Sequence, residues 1–411
     1  MKKHVKFKVI ITILVTLWLS GCAPTTNQNI DLDDMTWEQI VEHATGTKVT
    51  FYGWGGDENI NRWLDVTVAQ QLKEKYNITL ERVPMLPNQY LPKLLSEKQL
   101  NAPGTIDIVW INGENFFNAK DQELLHGPFT HRLPNFNTYI DATSPDVMFD
   151  FGHPVEGYSA PFGKAQMVFI GNETIMGTMP KNHLELKALA QAHPGKITYP
   201  DLSDFTGNAF IRNIIYDIVG YEVFIGLEAD KEKVRTIIQP ALDYLVALKP
   251  YLWRQGTTYP STIALLDNMF ADGEVIMTMN YTPFHIAKKI AEGTFPATSK
   301  SFLFEKGTIG NTHFLAPPFN SPNITGAMVV INHILSPEVQ VTKYDPLVWG
   351  DLPVTDPNRL TPAQRQLFDN VQLGEGVIPQ DVLLQHRVPE MRAELVPIIE
   401  SLWREVILGT D

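Results

Sequence analysis

The chain has 411 residues, of which 46 are acidic and 33 are Lys or Arg, so its formal net charge is −13. A surface with this excess of carboxylates repels nucleic acid, which argues against a nucleic-acid partner. With 44% hydrophobic residues the chain can bury more than one core, and its single cysteine excludes a disulfide within the chain.

The first 22 residues have the pattern of an export signal. Four lysines precede an apolar run from 9 to 19, which is shorter than the roughly 20 residues that a membrane-spanning helix needs. Ser20 and Gly21 then lead into Cys22, the only cysteine. We predict a lipoprotein signal peptide over 1–21, an acylated Cys22 (palmitate or a similar chain) that anchors the protein to a membrane outside the cytoplasm, in the periplasm or on the outer cell surface, and a polar tether over 22–44. An ordinary secretory signal with an incidental thiol is the alternative.

Residues 45–111 alternate between strand and helix patterns. Gly53, Gly55 and Gly56 interrupt the first strand, and apolar residues then recur at helical spacing after Asp57 and Glu58. Strands are predicted at 48–52, 78–83 and 106–111, and helices at 60–72 and 89–100. Alternation of this kind predicts a layered α/β domain with the apolar strand 106–111 in the middle of a parallel sheet.

A second α/β series is predicted after an irregular surface segment at 126–160. It has a glycine loop at Thr206-Gly207-Asn208 before an apolar helix over 209–218, and a helix that Pro240 opens. Further strands are predicted at 166–170, 197–199 and 275–279, and further helices at 261–270, after Ser336, after Thr361 and at 389–407. The last of these has apolar residues every three or four positions, so it should pack on a lobe by one face.

Four sequence blocks, in this order behind Cys22, resemble the solute-binding lipoproteins of bacterial ABC importers, in particular the branch with thiamine-, polyamine- and iron-binding members. The blocks are 51–57 with 61–63, 105–116, 197–200 with 205–207, and 270–275. The resemblance implies an α/β, two-lobe, periplasmic-binding-protein-like fold with discontinuous lobes, hinge strands near 161–172 and 315–330, and a helical C-terminus. Lobe one would comprise 45–160 plus about 316–411, and lobe two 165–315.

The resemblance also implies a function. The protein would capture a small-molecule solute in the cleft between its lobes and deliver it to an ABC permease with a cytoplasmic ATPase, acting as a monomer without a cofactor. An extracytoplasmic sensor or adaptor would use the same cleft and stays open as an alternative. A hydrolase with paired carboxylates also stays open, although the sequence lacks the serine-elbow, phosphate-loop and zinc-protease motifs.

Candidate ligand residues follow predicted strands or begin predicted helices, where glycine loops and helix N-termini offer free N–H groups to a ligand. The candidates are Trp54, Gly55, Gly56, Asp57, Asn112, Glu114, Asn115, Gln166, Thr206, Gly207, Asn208, Asn280 and Tyr281. The structural alternatives are a tight turn with a packed tryptophan at Trp54 and a plain polar loop after 111. Trp253, Trp349 and Trp403 are interpreted as packing residues, and the eleven histidines show no metal-binding spacing.

The ligand chemistry follows from these residue types. An aromatic face at Trp54 or Tyr281 beside Asp57 or Glu114 would suit a cationic or heteroaromatic solute, whereas glycine loops at helix starts would suit a phosphate or carboxylate. Thiamine or its phosphate combines both kinds of group and is our specific hypothesis, ahead of polyamines and organophosphonates. The absence of a Tyr-Tyr pair disfavours ferric iron.

Overall fold

The computed structural model describes residues 32–409, so the predicted signal peptide, Cys22 and most of the tether lie outside the described residues. The chain divides into two units, Met1–Met35 and Thr36–Asp411. The described part of the first unit holds a single 3-10 turn, Leu32–Asp34. All elements below belong to the second unit.

Eleven strands form the β structure of the second unit. They are β1 (Lys48–Gly53), β2 (Thr79–Pro84), β3 (Ile108–Ile111), β4 (Phe149–Asp150), β5 (His153–Pro154), β6 (Ala160–Gln166), β7 (Val168–Asn172), β8 (Met277–Asn280), β9 (Ser299–Phe302), β10 (Thr308–Ala316) and β11 (Arg387–Pro389). The predicted strands at 48–52, 78–83, 106–111, 166–170 and 275–279 are confirmed with small shifts of their ends.

The first sheet has the order β11-β10-β3-β1-β2, and β6 pairs with β10. β1 is parallel to β2 and β3, as the apolar strand pattern predicts, whereas β10 runs antiparallel to β3 and β6. The buried carboxylate of Asp107, the residue before β3, holds β3 beside β1. Asp107 Oδ2 accepts hydrogen bonds from Thr50 N at 2.8 Å and Thr50 Oγ1 at 2.9 Å.

The second sheet has three antiparallel strands in the order β8-β7-β9. The chain passes from the first sheet to the second at Met167, inside the predicted crossing at 161–172, and returns over 303–307. The return therefore precedes the predicted range of 315–330. Residues Ile324–Ile334 are instead a helix buried along nearly its whole length, and a short, fully buried apolar segment cannot be assigned to helix or strand from its periodicity alone.

Within residues 36–409, eighteen α-helices pack around the two sheets. They are α1 (Trp37–Ala44), α2 (Glu58–Arg62), α3 (Ala69–Tyr76), α4 (Pro87–Leu100), α5 (Gly113–Asp121), α6 (Pro134–Tyr139), α7 (Pro145–Met148), α8 (Glu173–Met176), α9 (His183–Ala192), α10 (Phe205–Val219), α11 (Lys231–Leu248), α12 (Ile263–Ala271), α13 (His285–Ala291), α14 (Ile324–Ile334), α15 (Pro337–Tyr344), α16 (Pro362–Asp369), α17 (Gln380–Gln385) and α18 (Val396–Trp403). A π-helical turn, Trp63–Val68, joins α2 to α3, and another, Arg404–Leu408, follows α18.

Three local predictions are wrong. The segment 197–199 is buried but pairs with no sheet, because its backbone bonds with loops, as in the 2.8 Å bond from Trp253 N to Ile197 O. The glycine loop at 206–208 is the first turn of α10, since Asp204 caps the helix earlier than expected. Pro240 lies inside α11 and does not open it, because Asp230 caps that helix ten residues before the proline.

The C-terminal helix packs with the second sheet. Trp403 is fully buried in the core that contains Phe169 and Phe210, and its Nε1 donates to Tyr199 Oη at 3.2 Å. The assignment of about 316–411 to lobe one stays a prediction, because the spacing of apolar residues shows only that a helix buries one face and not which partner covers it. The interpretation of Trp403 as a packing residue agrees with this position. Within residues 32–409, no helix is both long and apolar enough to cross a membrane.

Trp403→Ala should lower the free energy of unfolding by about 3–5 kcal/mol, because it empties a fully buried aromatic site in a shared core. Trp54→Ala is the matched control, since Trp54 is 46% exposed and surface substitutions change stability by about 0.5 kcal/mol or less. Urea unfolding of both variants measures the difference. Equal losses of stability would show that the last helix does not support the second core.

Candidate functional site

The carboxyl ends of the first sheet's parallel strands lie at one edge of the sheet. β1 ends at Gly53 and β3 at Ile111, and the antiparallel β10 begins at the same edge. Asn112, directly after β3, is linked to the antiparallel strand β10, because its Nδ2 donates to Thr312 O at 2.5 Å. This edge faces the strands that join the two sheets.

An edge aromatic group, which we define as Trp54, Trp110, Phe162, His313 and Trp349, covers part of this edge. The ring centroids of Trp110 lie 6.4 Å from Trp54, 5.2 Å from Phe162 and 5.2 Å from His313. Trp110 Nε1 donates to Asn112 Oδ1 at 3.0 Å, so the structure brings the predicted Trp54 and Asn112 together. Trp349 is buried, in agreement with its interpretation as a packing residue.

A buried ion pair holds His313 in place. His313 Nε2 lies 3.4 Å from Asp351 Oδ1, and Asp351 Oδ2 pairs with Lys343 Nζ at 2.8 Å. Burial lowers the pKa of Lys343, although the Asp351 carboxylate opposes the shift. Gly163 permits this packing, because a Cβ there would lie 2.1 Å from Asp351 Oδ2.

A cavity of about 340 Å³ lies beside β10 and β11. Its walls come from the first sheet, from the separate β4–β5 hairpin, from α10 of the second core and the turn after it, and from the chain that follows β11. Representative lining residues are Phe151, Tyr216, Phe224, Asn311, Arg387 and Glu390. The cavity is therefore bounded by elements of both sheets' cores next to the connection between them, where binding sites for small molecules commonly form.

Three buried polar atoms of the cavity's lining residues have no hydrogen-bond partner in the described part of the chain. They are Asn311 Oδ1, Thr312 Oγ1 and Arg387 Nη2. A buried polar group without a partner costs about 1–3 kcal/mol, so three such groups around one cavity are unusual for a region that only packs. Their chemistry provides acceptors, a hydroxyl and one cationic donor to a bound molecule.

The ionised groups around the cavity are paired. Asp146 contacts Lys164 Nζ at 3.3 Å and Arg387 Nε at 3.2 Å. Glu390 pairs with the fully buried Arg212 and accepts a hydrogen bond from Tyr281 Oη at 2.9 Å. These bonds connect α10, the C-terminal segment and the second sheet through buried polar groups.

Asp150 is the exception among the lining carboxylates. It is 2% exposed, its Oδ2 accepts from Gly113 N at 2.9 Å, and within residues 32–409 it forms no salt bridge. Burial raises the pKa of Asp150 to about 8, with a smaller contribution from the nearby Glu390 and against hydrogen bonds from Gly113 and Asn112. A hairpin turn presents the residue, because Phe151 and Gly152 have φ of 46° and 77°, as a two-residue turn requires.

The predicted residues near the first sheet have local partners. The indole of Trp54 covers Gly56, where a Cβ would lie 2.6 Å from the ring. Asp57 caps α2 by accepting from Asn59 N and Ile60 N. Gly55 and Asn115 are half-buried, and Glu114 is exposed in the first turn of α5.

The predicted residues of the second sheet are more deeply buried. The N–H groups of Thr206 and Gly207 donate to Asp204 Oδ1 and are not free for a ligand. Asn208 Oδ1 accepts from Arg212 Nε at 3.1 Å, which places it beside the ion pair with Glu390. The other three positions are Gln166, fully buried with Oε1 unpartnered, Asn280, which accepts from Thr282 N, and Tyr281, which contacts Phe205 and Glu390.

None of the thirteen predicted residues lines the cavity. Asn112 and Tyr281 contact the lining residues Thr312 and Glu390, whereas Asp57, Thr206 and Gly207 serve as helix-start residues. Sequence reasoning missed Asp150, Asn311, Thr312, Arg387 and Glu390. Within residues 32–409, no cluster of three or more His, Cys, Asp or Glu side chains could hold a metal ion.

Comparisons with known proteins agree with this geometry. Residues 67–363 match the family model of the bacterial extracellular solute-binding protein. The Escherichia coli K12 protein YnjB is 35% identical over 389 residues, which cover 94% of this chain and 97% of YnjB. The chain belongs to the bacterial extracellular solute-binding protein family, and this membership implies a location outside the cytoplasm.

Two solved structures share the fold at low identity. The spermidine/putrescine substrate-binding protein PotD of Streptococcus pneumoniae has a TM-score of 0.61 at 15% identity, with 87% of this chain and 99% of PotD covered. The periplasmic binding protein AfuA of Actinobacillus pleuropneumoniae, with fructose-6-phosphate bound, has a TM-score of 0.57 at 14% identity, with 88% and 98% covered. The likeness confirms the predicted two-lobe, periplasmic-binding-protein-like α/β fold.

Asp150→Asn should flatten the pH dependence of stability. The folded protein holds the Asp150 proton up to about pH 8, whereas an unfolded Asp releases it near pH 3.9. The contribution of this group to stability is therefore complete below about pH 4 and is lost as the pH rises through 8. Between pH 5 and 8.5 the wild type should lose at least about 1.4 kcal/mol more than the variant, the equivalent of one pKa unit.

Urea unfolding at both pH values measures this difference. Asp121→Asn, the same change at the exposed end of α5, should follow the wild type. Parallel profiles for the wild type and Asp150→Asn would contradict a protonated, buried Asp150.

Proposed function

We propose that the protein is the solute-binding subunit of an ABC importer and that it holds a small organic solute in the cavity beside β10. The observation that carries the proposal is the set of buried, unpartnered polar atoms of Asn311, Thr312 and Arg387 around a cavity with walls from both cores. Family membership supports a binding role, and the share of the chain that matches PotD and AfuA supports lobes that close on a solute.

Lobe closure supplies the mechanism. A solute that contacts residues of both lobes binds the closed form more tightly than the open form, so it shifts the population toward closure. Helices of the two predicted lobes contact each other in the structure, as in the hydrogen bond from Lys288 Nζ on α13 to Asn59 Oδ1 on α2. The closed protein then docks on a permease, whose ATPase on the cytoplasmic side drives transport.

The solute class follows from the lining. Phe151 and Tyr216 offer aromatic surface, Asp150 offers a carboxyl group, and Arg387 offers one free donor. A cationic or heteroaromatic solute with a second, hydrogen-bond-accepting end fits this set, and thiamine or its phosphate remains the specific candidate. The edge aromatic group with Trp54 lies next to this region through Asn112 and would contact a longer solute.

Thr312→Val should weaken solute binding about fivefold to tenfold, because it replaces a buried hydroxyl with a methyl group of the same shape, and a neutral hydrogen bond contributes about 1 kcal/mol. Thr236→Val is the matched control on an exposed face of α11. Thiamine, thiamine monophosphate, spermidine and 2-aminoethylphosphonate are first compared by thermal shift, together with any solute that mass spectrometry finds in the purified protein. Calorimetry with the best of them gives the affinities.

Failure of every such compound to bind the wild type would contradict the proposed function. Equal affinity of wild type and Thr312→Val would place the solute elsewhere.

Membrane attachment is the second part of the proposal. Cys22→Ser should release the protein from the membrane fraction into the soluble fraction, because it removes the only thiol that can carry a lipid. Fractionation after a salt wash, with mass spectrometry of the N-terminal peptide, measures this. A variant that stays with the membrane would refute the lipid anchor.

A further inference from the structure

The charged side chains around the cavity form ion pairs, whereas the carboxyl group of Asp150 forms none within residues 32–409. Arg387 is matched by Asp146, Arg392 by Glu394 at 3.0 Å, and Arg212 by Glu390. Lys164 adds a second cation to Asp146. Asp150 lies among these groups with hydrogen bonds from Gly113 N–H and the Asn112 side chain, and within residues 32–409 it has no cationic partner.

The surroundings of Asp150 favour a positively charged guest. Asn311 Oδ1 and Thr312 Oγ1, both buried and unpartnered, can accept N–H donors. Tyr216 and Phe151 line the same cavity, and the faces of such rings attract cations. An ammonium group has three donors and no acceptor, so it fits a carboxylate, two oxygens and aromatic faces.

We propose that Asp150 recognises a cationic amine of the solute and gives up its proton to solvent as that amine binds. The inference rests on the proposed function and deepens it by assigning a substrate class. In this step the neutral carboxylic acid of Asp150 and an ammonium group of the solute form a carboxylate–ammonium pair. The proton of the carboxylic acid passes to the buffer. The far end of the solute presents an acceptor to Arg387 Nη2, which has no other partner.

The groups that face Asp150 explain why it is neutral before the solute arrives. Glu390 approaches from the C-terminal segment, Asp146 and Arg387 cancel each other, and Arg392 is held by Glu394. His153, opposite Asp150 in the β4–β5 pair, also points its Nε2 to Glu394 at 3.2 Å. On α5, Gly113 N–H donates to Asp150, a bond that the neutral acid keeps. No facing cation is therefore free to stabilise the carboxylate.

Burial accordingly raises the pKa of Asp150 to about 8. At pH 7 Asp150 is therefore protonated in most protein molecules, and binding releases on average nearly one proton per solute. Affinity should rise about tenfold per pH unit between pH 5 and 7 and level off above pH 8, because one proton leaves for each solute bound below that pKa. A solute without a cation would not displace the proton and would show a flat profile.

Calorimetry on the full chain tests this with putrescine, ethanolamine and thiamine as cationic probes and glycerol 3-phosphate as the anionic probe. Titrations at pH 7 in phosphate and in Tris, which differ in ionisation enthalpy, count the protons released. We expect about 0.9 proton released per bound cation. Asp150→Asn should weaken binding at least tenfold and abolish its pH dependence, whereas Asp121→Asn should behave as the wild type.

The outcomes separate the two proposals. Cation binding that releases no proton, or that is equally strong in Asp150→Asn, refutes the role of Asp150 while the binding function stands. Binding of only glycerol 3-phosphate, or of only an uncharged co-purifying solute, refutes the cationic class in the same way. Binding of no probe and no co-purifying solute refutes the proposed function itself. The proton count uses the wild type, so it does not depend on the variant's folding.

Discussion

The backbone pairing of β10 is the constraint on which the rest of the structure depends. This one strand pairs with β3, β6 and β11, and Ile309 in it accepts from Met167 N at 2.9 Å and donates to Asn213 Oδ1 on α10 at 3.0 Å. The strand thereby closes the first sheet and also holds the main helix of the second core. Asn311 and Thr312 reach the cavity because β10 passes between the two cores.

The electrostatic environment distinguishes the buried ion pairs that stabilise the fold from the groups that we propose for solute binding. Lys343 with Asp351, and Arg212 with Glu390, are buried pairs in which each charge has a direct partner, as buried charges require. Asp150 lines the cavity without a cationic partner in residues 32–409, and its raised pKa keeps it protonated at neutral pH. Groups with perturbed pKa values in a cavity are candidates for function, and the unpartnered atoms of three neighbouring residues support that interpretation here.

Local patterns predicted much of the fold. The strands at β1, β2, β3 and β8 follow from β-rich and apolar runs, and the family resemblance supplied the two-lobe arrangement. Burial on all sides removes the periodicity that distinguishes a helix from a strand, so α14 was expected to be part of a crossing. Position 207, in the first turn of α10, holds a glycine because a Cβ there would lie 2.3 Å from Pro200 O, a close approach between segments that no local pattern reveals.

The site was predicted only in part, for a related reason. The rule that ligands gather at strand ends led to Trp54 and to Asn112, and Asn112 contacts the lining residue Thr312. The lining residues come from segments far apart, as in the pair of Asp146 and Arg387, which are 241 residues apart, so their meeting is a property of the folded chain. One signal was available: Arg212 lies in a mostly apolar helix, and a charge in such a place needs a partner.

A crystal structure of the protein with its co-purified or best-binding solute is the most direct test of where binding occurs. The account predicts solute density within hydrogen-bond distance of Thr312 Oγ1 and Arg387 Nη2, with a cationic group against Asp150. Density against Trp54 and the start of α10, with only water beside β10, would contradict it.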